Sequence, residues 1–96
     1  MRIMLSAPAS LDIRPQVHAA LSRFADRVVG IHLVLLRRQG LSTCRIRVLC
    51  RDGSSWHVCC EDVRSRTALR RALARCRRHL ERQAAVHRPV LDIARC

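Results

Sequence analysis

Nineteen arginines and no lysine stand against seven acidic residues in a chain of 96, giving a formal net charge of +12 and a pI near 11.6. A balance this basic speaks to partners rather than to fold, and the partner it calls for is a polyanion, nucleic acid foremost. The length allows one domain, burying ~60–65% of its unfolded surface. Phe24 and Trp56 are the only aromatics, so the core must be aliphatic, with cysteine as filler.

The opening M-R-I-M-L-S-A-P has too short an apolar run for a secretory signal, and no stretch approaches the roughly 20 apolar residues of a membrane span. Asp12 and Asp26 argue against a transit peptide. Six cysteines (Cys44, Cys50, Cys59, Cys60, Cys76 and Cys96) without a signal are expected to stay reduced in the cytoplasm.

Arg2–Ser6 alternates, with Ile3 and Leu5 on one side, and stops at the turn-rich Ala7-Pro8-Ala9-Ser10; it reads as a first strand. Pro15 suits the start of a helix with Asp12 just before it, and Val17, Leu21, Phe24 and Val28 repeat at helical spacing. This short helix is expected to end around Ala25–Gly30. Ile31–Arg38 is apolar and β-prone, a second strand parallel to the first across a right-handed crossover, with Gln39–Thr43 as the turn that follows.

Thr43–Arg51 sets Cys44, Ile46, Val48 and Cys50 against Arg45, Arg47, Leu49 and Arg51, and Asp52-Gly53 marks a hairpin. Ser55–Glu61 then alternates Trp56, Val58 and Cys60 with His57, Cys59 and Glu61. A three-residue loop at Asp52–Ser54 predicts Cys50 opposite Trp56, Val48 opposite Val58 and Ile46 opposite Cys60. Both strands then send apolar residues to one side, leaving Arg45, Arg47, Arg51 and His57 on the other.

Asp62 is the expected N-cap of a second helix, in which Leu69, Leu73, Cys76 and Leu80 form the buried stripe. Arg64, Arg66, Arg70, Arg71, Arg75, Arg77, Arg78 and Arg82 share the rest of its surface with Glu81. Cation pairs at i, i+4 such as Arg66–Arg70 and Arg71–Arg75 work against a helix, and a polyanion relieves them. Arg71, Arg75, Arg78 and Arg82 fall into one stripe. Pro89 is expected to separate the residues after Gln83 from this helix. The order is therefore β-α-β-β-β-α, an α+β fold with a four-stranded mixed sheet and two helices packed on one face. Residues 1–83 form the domain and 84–96 a short tail.

The expected phosphate contacts are Arg64, Arg66, Arg70, Arg71, Arg75, Arg78 and Arg82 on the helix, with Arg45, Arg47, Arg51 and His57 on the open sheet face. Single-strand readers stack bases on aromatic platforms, and neither Phe24 nor Trp56 is placed for that, so contact should run through backbone and shape. Sequence-specific DNA reading fits poorly, because the helix has few residues suited to base edges. Cys50, His57, Cys59 and Cys60 raise a rival zinc site, but they lack a C-x-x-C knuckle and the buried alternation accounts for most of them. No metal or other cofactor is expected. His57 and Cys59, two apart on a strand, sit roughly 6.5–7 Å apart, too far for a nucleophile and its base. No motif supports other catalysis or a small-molecule substrate, and the helix's apolar stripe, needed for the sheet, is not available to a membrane.

Three stretches resemble the ribosome hibernation factors, the family of hibernation-promoting factor and protein Y. L-S-R-F-A-D-R-V-V-G-I-H-L-V-L (Leu21–Leu35) is similar to the family's end of helix one, its aromatic–x–Asp–Arg–aliphatic turn and its second strand. G-S-S-W-H-V (Gly53–Val58) is similar to its hairpin, and A-L-A-R-C (Ala72–Cys76) to the basic–Leu–x–Arg segment of its last helix. Departures are a first helix about two turns shorter, Ala72 in place of a lysine, and a link before the last helix cut to Glu61-Asp62. The resemblance implies a monomeric, cytoplasmic translation inhibitor of bacterial stress response, not an enzyme. It implies binding to small-subunit rRNA in the mRNA/tRNA channel and silencing of idle ribosomes. Long members add a dimerisation domain for which the tail is too short, so pairing of ribosomes would need another protein. The alternative is a structured-RNA or general nucleic-acid-binding module without ribosome specificity; a zinc-binding Cys/His hairpin stands behind both.

Overall fold

The computed structural model describes residues 1–7 and 12–94, with side chains described for 1–7 and 12–83. Along the chain run β1 (Arg2–Ser6), α1 (Ile13–Leu21) followed by a 3-10 turn at Ser22–Phe24, β2 (Val28–Arg38), β3 (Leu41–Cys50), β4 (Ser55–Asp62) and α2 (Ser65–Ala94). The sheet has four strands in the order β1-β2-β3-β4; β1 and β2 are parallel, the other two pairs antiparallel. The expected α+β architecture, β-α-β-β-β-α, is the one observed.

Helix α1 begins after Asp12, whose side chain makes no cap bond; Gln16 Nε2 instead donates to the Asp12 carbonyl at 2.9 Å. Pro15 is tolerated because a first-turn N–H has no intrahelical acceptor to lose. The helical stripe expected to reach Val28 stops at Leu21. Phe24 lies in the 3-10 turn, and Val28 opens β2 opposite Cys50. Both remain buried, because a strand start can bury the same side chain that a further helical turn would have buried.

The connection from β2 to β3 is shorter than Gln39–Thr43. Arg38 pairs with Leu41, and Gln39 and Gly40 have φ of 51° and 76°, the two left-handed residues of a type I′ turn. The β3–β4 register also differs from expectation. Val48 faces Trp56, Ile46 faces Val58 and Cys44 faces Cys60, a slip of two residues. The loop is Arg51–Gly53: the Gly53 N–H donates to the Cys50 carbonyl at 3.1 Å and Cys50 N–H to that of Ser54 at 2.9 Å. Gly53 supplies the required positive φ of 89°. A slip of two preserves side-chain parity, so the expected faces survive it.

Two expectations for the last helix need correcting. Asp62 is the final residue of β4 rather than the cap; its Oδ1 accepts the Arg64 N–H at 3.0 Å, turning the chain into a helix that begins at Ser65. Nor does Pro89 end the helix, which continues to Ala94. A proline's missing N–H costs one intrahelical bond, a local penalty that bends a helix more readily than it terminates it.

One sheet face carries the core. Ile3, Ile31, Leu33, Leu35, Cys44, Ile46, Val48 and Cys60 are buried with Val17 and Leu21 of α1 and Leu69, Leu73, Cys76 and Leu80 of α2. At about 25 cal/mol per Å2 such aliphatic burial is the main stabilising term. Arg37 closes one end of this layer: its Nη1 donates to Ser42 Oγ at 3.0 Å and to the Val63 carbonyl at 2.8 Å. Ser42, fully buried, also bonds Ser65 Oγ at 2.6 Å. That cluster fixes where α2 leaves the sheet.

Candidate nucleic-acid interface

Packing sorts the arginines into those used by the fold and those left at the surface. Arg14, Arg27 and Arg37 donate to the carbonyls of Ile3, Leu80 and Val63. Arg23 and Arg27 also lie over the Phe24 ring, 4.8 and 5.2 Å from its centroid. Arg23 pairs with Glu81, and Arg77 approaches the same carboxylate at 3.9 Å. Among the described residues, Arg45, Arg47, Arg51, Arg66, Arg70, Arg78 and Arg82 have no side-chain protein partner, and all seven are exposed.

Helix α2 presents its arginines on two flanks. Arg71 pairs with Asp62 at 3.6 Å, Arg75 Nη1 reaches the Cys59 carbonyl at 3.4 Å, and Arg78 and Arg82 line a groove with Val58. The predicted stripe therefore runs along the outer edge of β4, the helix antiparallel to the strand. Arg64, exposed at the start of α2, falls on the same flank by helical spacing. Arg66, Arg70 and Arg77 fall on the opposite flank, where Glu81 takes up part of the charge.

The open sheet face holds Arg45 and Arg47, as expected. Arg47 sits in one cross-strand row with Met4, His32 and His57, and Arg45 pairs with Cys59. Arg45, Arg47, Ser55, Trp56 and His57 together line a shallow hollow of about 330 Å³. Arg51 does not belong to this face. It lies in the β3–β4 loop, in a separate hollow with Asp26, Arg27 and Asp52, because the two-residue slip ends β3 at Cys50. Arg2, Met4, His32 and Leu49, which the alternation of single strands did not assemble, border a second hollow on the open face.

Those two basic surfaces meet at β4. The Cys59 carbonyl accepts Arg75 from the helix side, while the Cys59 side chain stands opposite Arg45 on the sheet side. Sequence reasoning missed His79, whose ring centroid is 4.1 Å from that of Trp56 with the planes 47° apart. Helical spacing already placed His79 beside the arginine stripe, but only the β3–β4 register brings Trp56 to it. Trp56 and Phe24 are both packed into or against the core, so neither ring is offered as an open platform.

The cysteines have the character expected of filler. Cys44, Cys50, Cys60 and Cys76 are buried and reduced, whereas Cys59 is exposed; Cys96 lies outside the described residues. Burial, then the neighbouring cysteines, pushes the Cys44 and Cys76 thiols up to about 12. Both thiols are therefore held in their protonated form near neutral pH. Among the described residues no group of three or more His, Cys, Asp or Glu side chains is placed to hold a metal ion.

Solved structures that share this fold include two ribosome-related proteins. A ribosomal subunit interface protein from Coxiella burnetii superposes with a TM-score of 0.69 at 17% identity, covering 88% of this chain and 99% of its own. The protein Y N-terminal domain from Thermus thermophilus gives 0.66 at 24% identity, with 84% and 93% covered. The chain has the hibernation-factor fold. Neither a family model nor a curated protein matches the sequence, as expected where likeness rests on element order and core spacing rather than on a surface motif. Within the hibernation-factor fold, β3, the loop after it and α2 carry Arg45, Arg47, Arg51, Arg66, Arg70, Arg78 and Arg82, which have no side-chain protein partner among the described residues.

Proposed function

We propose that this protein binds small-subunit rRNA in the channel used by mRNA and tRNA and silences idle ribosomes by occlusion, acting as a non-enzymatic, cytoplasmic monomer. The observation that carries the proposal is the continuity of Arg71, Arg75, Arg78 and Arg82 with Arg45 and Arg47 across the β4 edge. They make a basic surface that wraps one side of a fold shared with a ribosomal subunit interface protein. The rings of Phe24 and Trp56 are engaged in the core, which favours recognition of structured RNA through backbone and shape.

The deciding experiment is sedimentation of a stationary-phase lysate at moderate salt. The protein is expected with small subunits and whole ribosomes. Recovery only at the top of the gradient, or spread over DNA, would leave the second reading, a general nucleic-acid-binding module on the same surface. That reading is favoured by the shortened first helix, α1 being nine residues long.

A further inference from the structure

The arginine stripe needs no cavity to meet a phosphate backbone, yet it borders one. Between α2 and the outer edge of β4 lies a groove of about 800 Å³ lined by Val58, Arg75, Arg78, His79, Glu81 and Arg82, well within the size range of ligand sites. Val58 and His79 are half-buried and give it an apolar and aromatic floor. The His79 ring is backed by Trp56 at 4.1 Å, and Trp56 is packed against the core, so the imidazole is held as a supported plate. Among the described lining residues Glu81 is the one acid, and it is engaged by Arg23 and approached by Arg77, which leaves Arg75, Arg78 and Arg82 as the dominant charge of that set. Arg75 and Arg82 are seven residues apart in α2, ~10 Å along its axis.

We propose that this groove takes one unpaired nucleotide of RNA, its base against His79 and Val58 and its flanking phosphates on Arg75, Arg78 and Arg82. A carboxylate-rich peptide would answer the arginines but would leave the ring and the Val58 floor without a flat partner. A nucleotide answers both, because every base has a π-face and stacking on an aromatic side chain tolerates sequence. Duplex RNA would meet the stripe and bypass the floor. The inference rests on the RNA-binding reading above and adds base recognition to it.

The test compares a six-nucleotide single-stranded RNA with an abasic strand of the same length, binding to the full chain being followed by the fluorescence of Trp56, the sole tryptophan. The intact strand is expected to bind about ten-fold more tightly, the gain typical of one stacked base. His79→Leu, which keeps packing against Trp56, should bring it close to the abasic affinity; His79→Phe should restore the difference, and the abasic strand should bind all three proteins alike within about two-fold. Equal affinity for intact and abasic strands, or a His79→Leu protein that still discriminates, overturns the proposal. Ribosome sedimentation of the same proteins separates the two readings. Loss of base dependence with ribosome binding retained removes the groove alone, and base dependence without ribosome binding removes the ribosome reading alone.

Discussion

At the scale of single residues, the thiols divide sharply. Cys59 is exposed on the open face, while Cys44 and Cys76 are fully buried and their thiols are pushed up to about 12, first by burial and then by neighbouring cysteines. A maleimide at pH 8 is expected to label Cys59 in the folded protein and to reach Cys44 and Cys76 only on unfolding. Peptide mapping showing Cys76 modified while the fold persists would contradict this. The same shifts set an alkaline limit. Below pH 9, the ordinary value, folded and unfolded chains both hold these protons and the stability is fully present; as pH climbs from about 9 toward about 12, the unfolded chain releases them first and stability falls. The chain has no lysine or tyrosine and arginine does not titrate there, so the alkaline limb of a pH–stability curve reads cysteines almost alone. Cys44→Ala should flatten it, at a cost of about 1 kcal/mol at neutral pH for the lost packing.

At the scale of elements, α2 combines an apolar stripe that the sheet requires with a cationic flank that the sheet does not. Reversing Arg75 and Arg78 together to Glu is expected to weaken ribosome binding ten-fold or more, since each lost phosphate contact is worth about 1 kcal/mol and repulsion adds to it. Stability should stay within about 0.5 kcal/mol in a denaturant titration. The change gives up the exposed Arg75 contact with the Cys59 carbonyl and relieves cation crowding by pairing the new carboxylates with Arg71 and Arg82. Undiminished ribosome affinity in a folded double variant would mark this flank as merely solvated and move attention to Arg45 and Arg47. The β3–β4 hairpin is the other element that matters, because its Arg51–Gly53 loop decides that Trp56 meets His79 and that Arg51 leaves the sheet face.

At the scale of the whole molecule, binding must carry the signature of a distributed basic surface. If Arg71, Arg75, Arg78 and Arg82 engage phosphates together with Arg45 and Arg47, the logarithm of the ribosome-binding constant should fall with that of salt concentration with a slope of about −4 to −5. Arg75→Glu with Arg78→Glu should reduce the steepness by about 2, whereas Arg66→Gln with Arg70→Gln, on the far flank, should leave it nearly unchanged. Titration by anisotropy against ribosomes over a range of salt distinguishes these outcomes; equal flattening from both pairs would mean that the helix binds without a preferred side. The fold makes the asymmetry possible by setting Arg75 against the β4 edge, while Arg66 and Arg70 fall on the far flank of the helix.

Patterns local in sequence determined much of this molecule. The two-residue period of Cys44–Cys50 and Trp56–Cys60, the stripe from Leu69 to Leu80 and the breaker residues between them were enough for the element order, the sheet's buried face and the exposure of Arg45, Arg47 and the α2 arginines. These are properties of a backbone period, and a period is visible without neighbours. What required tertiary structure was every choice between arrangements that bury the same residues. A hairpin slipped by two residues keeps its parity, so only the loop geometry at Gly53 selected the register that pairs Val48 with Trp56. Val28 is buried as the start of a strand as well as it would be at the end of a helix, and its pairing with Cys50 settled the matter. Composition does not separate Arg37, tied to Ser42 and Val63, from Arg45, left at the surface. An arginine becomes a clamp only when folding brings a distant carbonyl within its reach, and the convergence of Arg75, His79 and Trp56 at the β4 edge depends on that same non-local packing.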